Sequence, residues 1–270
     1  MSLLFEIAAG SVIGSNHKWN EKNNQDSFSY YQDETTLIAV VCDGCSEGRY
    51  SEVGARLGSS ILVQSLKSSL PCWSIPSALE SSRMEVIRSL RALASIMDSN
   101  SPSSLVNDYF LFTSVGVIIY KGRVIVFSLG DGIYYLNSGK TILGPFPGNS
   151  PPYLAYSGLV KSSLSNDILS FKIHEDIPAY FVDSVLIGTD GVLNLVDSAN
   201  LCIPGKTETV GDISQFWIDD RYFSNKDMVR RKLFLANRES TKPNWEEKRL
   251  VTEKGLLPDD TTLVVIRRRN

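Results

Sequence analysis

Leu37 to Cys42 form an unbroken apolar run, Leu-Ile-Ala-Val-Val-Cys, that ends abruptly in Asp43-Gly44. Such a run, rich in β-branched residues, reads as a strand buried on both faces. A carboxylate at the tip of a buried strand is well held and faces a cleft. The glycine beside it lets the backbone bend and leaves its carbonyl accessible. Carboxylate oxygen, backbone oxygen and room for water are what a hard divalent cation needs. An Asp-Gly at a strand end is also an ordinary turn, and alone this one favours that simpler reading.

The pattern recurs along the chain. Val124 to Gly130 runs into Asp131-Gly132, and Ser184 to Thr189 into Asp190-Gly191. Asp259 and Asp260 stand just before the apolar run Thr261 to Arg267. Asp26 follows Asn23-Asn24-Gln25 and precedes Ser27-Phe28-Ser29-Tyr30. Several strand-end aspartates can converge on one metal site, because like carboxylates that close repel unless cations neutralise them.

The 270 residues show no linker that cuts the chain, and a hydrophobic content of 43% suits one globular core. A net charge of -3 is too mild to suggest nucleic acid or an anionic membrane. The Arg267-Arg268-Arg269 tail is too short to be a binding patch. No apolar run approaches the roughly 20 residues of a membrane span. The start, Met1 to Glu6, lacks the pattern of a signal peptide, so the protein is expected to be soluble, cytoplasmic and monomeric. Cys42 and Cys45 make a C-x-x-C. With no second pair and both histidines far away, all four cysteines are expected to be structural thiols.

Periodicity predicts a first strand over Phe5 to Ala9, a loop from Gly10 to Asn24, and a hairpin of Phe28 to Tyr31 with Thr36 to Cys42. Ser51 to Ser69 suits a helix stopped by Pro71. Ser77-Ala78-Leu79-Glu80 reads as a capping box opening a second helix, with Leu79, Met84, Ile87, Leu90, Ala94 and Met97 on its apolar face. That helix is expected to end within Asp98 to Ser104. Phe110 to Tyr120, Arg123 to Leu129 and Ile133 to Asn137 read as a continuous antiparallel meander. A Pro/Gly-rich loop, Pro145 to Pro152, precedes strands at Ile168 to Ile173 and Val185 to Thr189. Val192 to Thr241 reads as mostly helical, most clearly at Met228 to Ala236, before a closing strand over Thr261 to Arg267. The expected class is α+β, strand-rich sheets covered by amphipathic helices.

Taken in order, Asn24-Gln25-Asp26-Ser27, Val41-Cys42-Asp43-Gly44, Leu129-Gly130-Asp131-Gly132, Gly188-Thr189-Asp190-Gly191-Val192 and Asp259-Asp260-Thr261-Thr262-Leu263 resemble the metal-dependent protein phosphatases of type 2C. Each motif is weak singly; five in order over nearly the whole chain are specific. Ser46 to Leu57, and His17 upstream of the Gln-Asp pair, resemble the bacterial branch. The resemblance implies a sandwich of two antiparallel sheets flanked by helices, as one domain over residues 1–270. It implies two manganese or magnesium ions, with a third, weaker site. Asp43 would bridge the ions, the Gly44 carbonyl would bind the second, and Asp190 and Asp259 would hold the first. Asp131 would serve the third, and Asp26 would bind metal-bound water. Asp260 falls where the family often has asparagine and is left out of the first set of ligands.

The activity so implied is hydrolysis of phosphoserine and phosphothreonine in proteins, by a hydroxide that two cations generate from bridging water. The partner would be a phosphoprotein, with a cognate Ser/Thr kinase. The competing reading is a weak or inactive relative that binds a phosphorylated partner or regulates a kinase. One departure bears on this choice. The phosphate-gripping arginine of the family commonly lies about five residues before the first acidic motif, and here that position is Glu21. Lys22, Lys18 and His17 are the replacements at hand, and a lysine lacks the planar fork of arginine. His17 is taken as an active-site residue; the plainer alternative is a histidine bonded to loop backbone. Pro145 to Gly158 and Val192 to Glu247 are expected to border the cleft and set substrate choice.

Overall fold

The computed structural model describes residues 4–97, 102–157 and 165–269. Strand β1 (Phe5–Val12) leads through a short α1 (Ser15–Trp19) into the hairpin of β2 (Asp26–Gln32) and β3 (Thr36–Gly44). Helices α2 (Ser51–Ser69), α3 (Ile75–Met97) and α4 (Pro102–Tyr109) follow. Next come β4 (Phe112–Tyr120), β5 (Arg123–Leu129), β6 (Gly132–Leu136), β7 (Gly139–Leu143), β8 (Lys172–Pro178) and β9 (Ser184–Gly188). Helices α5 (Val192–Asp197), α6 (Gln215–Ile218), α7 (Arg221–Ser224) and α8 (Met228–Ala236) precede a second hairpin, β10 (Ser240–Asn244) with β11 (Arg249–Glu253). Strand β12 (Thr261–Arg268) closes the order.

Two antiparallel five-stranded sheets, β1-β12-β9-β6-β7 and β2-β3-β4-β5-β8, face one another. Side chains alternate along a strand, so each central strand feeds two layers at once. In β3, Leu37, Ala39 and Val41 enter the layer between the sheets, with Val117 and Val264. Ile38, Val40 and Cys42 point the other way, into the core under α2 and α3. In β12, Val264 and Ile266 face inward while Leu263 and Val265 pack under α8. This double duty is why the apolar runs are continuous rather than alternating.

The same alternation explains the site. Counting inward positions outward from the centre gives Phe28 then Asp26, Val41 then Asp43, Val115 then Thr113, Ile187 then Thr189, and Val264 then Thr262. The apolar layer thus turns acidic and hydroxylic at one end of the sandwich.

Several expectations need correction. Strand β1 extends through Val12, and α1 occupies part of the expected loop; five residues are too few for periodicity to register. Helix α3 starts at Ile75, so Ser77 lies inside it and bonds Ser74 Oγ instead of capping. Met84 and Met97 are exposed. Residues 98–101 of the expected helix end lie outside the described residues, and α4 follows them directly. The expected meander is broken: β4 and β5 pair, but β6 joins the other sheet against β9 and β7. The crossing runs through Gly130 (φ 90°), Asp131 and Gly132 (φ 138°), and positive φ at both glycines excludes ordinary side chains there. Strand β8 begins at Lys172, not Ile168. The exposed hairpin β10–β11 and strand β7 were not anticipated.

Candidate active site

One cavity of about 240 Å³ opens at the acidic end of the sandwich. Its lining includes Asp43, Gly44, Asp131, Asp190, Asp259 and His17, bringing together residues up to 242 positions apart (259 − 17). Asp43 stands on the inner face of β3, directly paired with Asp26 of β2. Asp131 sits on the crossing between sheets, Asp190 just beyond β9, and Asp259 just before β12. Gly44 is packed so closely that a Cβ would lie 2.7 Å from the Gln25 carbonyl.

Asp26 lies behind the cleft wall. Its Oδ2 accepts from Thr189 Oγ1 at 2.7 Å, and its buried Oδ1 has no hydrogen-bond partner. Burial, with the charge of Asp260 next, holds its carboxyl well above the usual carboxylate range. Asp43 is also raised well above that range, by burial first and then by Asp26, Asp190, Asp259 and Asp131. Burial and the charge of Asp190 push Asp131 up to about 6 and raise Asp259 as well. Acids that raise one another in this way call for positive charge.

Asp260, set aside in the sequence, holds this end of the molecule together. It is buried, its Oδ1 accepts from Gly14 N at 2.6 Å, and its Oδ2 accepts from Gln25 N at 2.5 Å and His17 Nδ1 at 2.8 Å. The hydrogen bond to Asp260 raises the pKa of His17. His17 therefore bonds a carboxylate rather than loop backbone. Lys22 Nζ donates to the carbonyl of Ser46, a lining residue, whereas the Lys18 ammonium sits 5.9 Å from the centre of the Phe234 ring.

Gly148, Ser150, Pro151, Tyr153 and Tyr156 form one wall, so the first of the two expected bordering segments does border the cleft. The second does not: no residue of 192–247 lines it. The apolar residues Leu195, Phe216, Tyr222, Val229 and Leu233 are buried against the outer face of the β1–β12 sheet. Cys42 is buried and its thiol is pushed up to about 12, as suits a structural residue, but Cys45 lines the cleft. Thr113, Thr189, Thr262 and Asp260 were not picked out from sequence; counting strand alternation outward from Val115, Ile187 and Val264 finds the three threonines.

Among the described residues, no three acidic, histidine or cysteine side chains form a ready-made cage for an ion. The donor set nevertheless fits a hard divalent cation. It is all oxygen, it includes the orphaned Asp26 Oδ1, and its carboxylates destabilise one another's charge.

A family model for protein phosphatase 2C matches residues 13–216. The chain belongs to the protein phosphatase 2C family. Solved structures agree in fold. A serine/threonine phosphatase from Staphylococcus aureus is 13% identical with a TM-score of 0.55, covering 100% of this chain and 97% of its own. The serine/threonine phosphatase of Mycobacterium tuberculosis is 16% identical, TM-score 0.53, with 99% and 100% covered. A serine-threonine phosphatase 2C from Toxoplasma gondii is 13% identical, TM-score 0.57, with 100% and 96% covered. No curated protein matches the sequence significantly. The family match stops short of Asp259, so that residue's membership of the 2C site rests on its motif and its position in the cleft. Among the described residues no helix is long and apolar enough to cross a membrane.

Proposed function

We propose that this chain is a metal-dependent phosphoserine/phosphothreonine protein phosphatase. It acts as one domain and a monomer in the cytoplasm, on phosphoproteins made by a Ser/Thr kinase. The observation that carries this is the convergence of Asp43, Asp131, Asp190 and Asp259 on one cavity, with Asp43 raised by the other three. Asp43 would bridge two manganese or magnesium ions, with the Gly44 carbonyl, Asp190 and Asp259 as further ligands. Asp131 would serve a third ion. Bound cations would supply an activated water and offset charge on phosphate oxygens.

The remaining chemistry belongs to the chain. Asp26, behind Asp43, keeps an oxygen free to orient water. His17, its Nδ1 engaged by Asp260, has Nε2 as the ring nitrogen available to a phosphate oxygen. Lys22, at the mouth, offers positive charge where Glu21 replaces the arginine of relatives. Manganese-dependent hydrolysis of p-nitrophenyl phosphate and of a phosphothreonine peptide tests the reading, with Asp43→Asn as control. No turnover by the wild type with manganese saturating would sink it.

Glu21 favours a second reading, a relative that binds a phosphorylated partner or regulates a kinase without turnover. Phosphopeptide binding by calorimetry with no phosphate release would select it.

A further inference from the structure

Arg83 lies mid-way along α3, outside the cleft, with its side chain buried. Its guanidinium is divided between two parts of the chain. Nε and Nη2 donate to Glu80 Oε2 and Oε1 at 2.8 and 2.7 Å, a bidentate pair one helical turn back. Nη1 donates to Ser157 Oγ at 2.9 Å and to the Leu169 carbonyl at 3.4 Å. The remaining Nη2 contact is to the Met84 thioether at 3.6 Å. A buried guanidinium is tolerated when its donors are engaged in this way.

Ser157 and Leu169 belong to the excursion between β7 and β8 that walls the cleft. Ser157 directly follows the lining residue Tyr156, which meets Tyr153 edge-on with centroids 5.4 Å apart. One side chain therefore ties both Ser157 and Leu169 to α3. The strands that carry the aspartates do not make this tie. The wall also packs on the strands through Tyr153, Leu154 and Ala155, which share a core with Val40, Cys42 and Leu129, but its Ser157 end and Leu169 are bonded to α3 by Arg83.

We propose that Arg83 is a positioning residue that sets the 148–156 wall and so governs how tightly a phosphoprotein, rather than a small phosphate ester, is engaged. This rests on the phosphatase reading. A small aryl phosphate needs only the acidic floor. A polypeptide must also lie across the wall, and a displacement of about 1 Å there is enough to change productive binding by an order of magnitude or more.

Three variants test it. Arg83→Met keeps length and apolar contact, Arg83→Lys keeps charge without the fork, and Ser157→Ala removes only the wall-side hydroxyl. Two readouts are taken: steady-state kinetics on a phosphothreonine peptide and on p-nitrophenyl phosphate, and hydrogen exchange of the segment 145–157. In Arg83→Met, the peptide KM should rise about tenfold and exchange of 145–157 should quicken about tenfold. Aryl phosphate kinetics should stay within about twofold of wild type. Lysine should not rescue, because one ammonium cannot serve Glu80, Ser157 and Leu169 together. Ser157→Ala should shift the same two quantities by about threefold.

Equal losses on both substrates, or unchanged exchange in 145–157, would overturn the proposal. If Arg83→Met does not fold, Ser157→Ala decides by the same criteria. If the wild type hydrolyses neither substrate, the phosphatase reading fails. Exchange alone then judges Arg83: faster in the variants supports the tie, unchanged refutes it.

Discussion

The molecule holds two contrasting sets of polar groups, one part-buried and one buried. On the β5–β8 side, Ser128 Oγ and His174 Nε2 are 2.8 Å apart, and the Tyr134 hydroxyl donates to Glu175 Oε1 at 2.9 Å. Each of these four groups has a partner, and burial lowers the pKa of His174. A serine beside a histidine invites a catalytic reading, yet neither residue lines the cleft. At the acidic end the opposite holds. Burial and then the charges of Asp26, Asp190, Asp259 and Asp131 raise Asp43, burial and Asp190 raise Asp131 and Asp259, and Asp26 Oδ1 is unpartnered. A polar set that satisfies itself is structure; a buried one that repels itself points to a missing counter-charge.

The largest contrast should be in turnover. Asp43→Asn should lower kcat/KM with saturating manganese by at least about 10³-fold, roughly 4 kcal/mol of transition-state stabilisation. Ser128→Ala should stay within about threefold. A comparable loss in Ser128→Ala would break the comparison.

Metal binding comes next. Manganese at about 100 times its Kd should stabilise the wild type by about 2.7 kcal/mol in denaturant unfolding. Ser128→Ala should keep that increment, and Asp43→Asn should lose most of it.

In the metal-free protein the two sets should respond with opposite signs. Ser128→Ala leaves His174 without its partner and should cost about 1–2 kcal/mol. Asp26→Asn relieves repulsion and should raise the melting temperature at pH 7.

The smallest effect is a pH slope. Asp131 titrates near 6 in the folded protein against an ordinary value of 3.8. Between those values the folded state holds a proton that the unfolded chain has released, so stability falls as pH rises and levels off above 6. His17, raised in the fold, adds stability below its ordinary 6.5 that is lost as pH rises through its folded value. Asp131→Asn should make the slope between pH 4 and 6 in metal-free melts shallower, leaving the portions of Asp26, Asp43 and Asp259, which are raised as well, and of His17.

Long periodic stretches made much of the fold legible. The bounds of α2 and α8 were readable to the residue, and β3 and β12 announced themselves by apolar runs buried on both faces. Pairing partners were not readable, because Gly130-Asp131-Gly132 serves equally as a hairpin turn or as a crossing between sheets. The β10–β11 hairpin escaped notice because its side chains are mostly exposed and show no apolar period. In the site, ordered motifs pointed to the aspartates. They set Asp260 apart from Asp259, which lines the cavity, only through the family pattern, and gave no sign that Asp260 holds the backbone behind it. Adjacent identical residues differ here only by which way a strand entry turns.

The three bonds that Asp260 accepts reach back 246, 243 and 235 positions, to Gly14, His17 and Gln25. Those partners leave the ribosome at least 235 residues before Asp260 does. At about 5–20 residues per second, the early segment waits about 10–50 s for the residue that fixes it. Through that interval the loop ahead of Asp26 lacks its bonds to Asp260 and the acidic cluster lacks Asp259. The cleft is thereby incomplete in the nascent chain until β12 has seated.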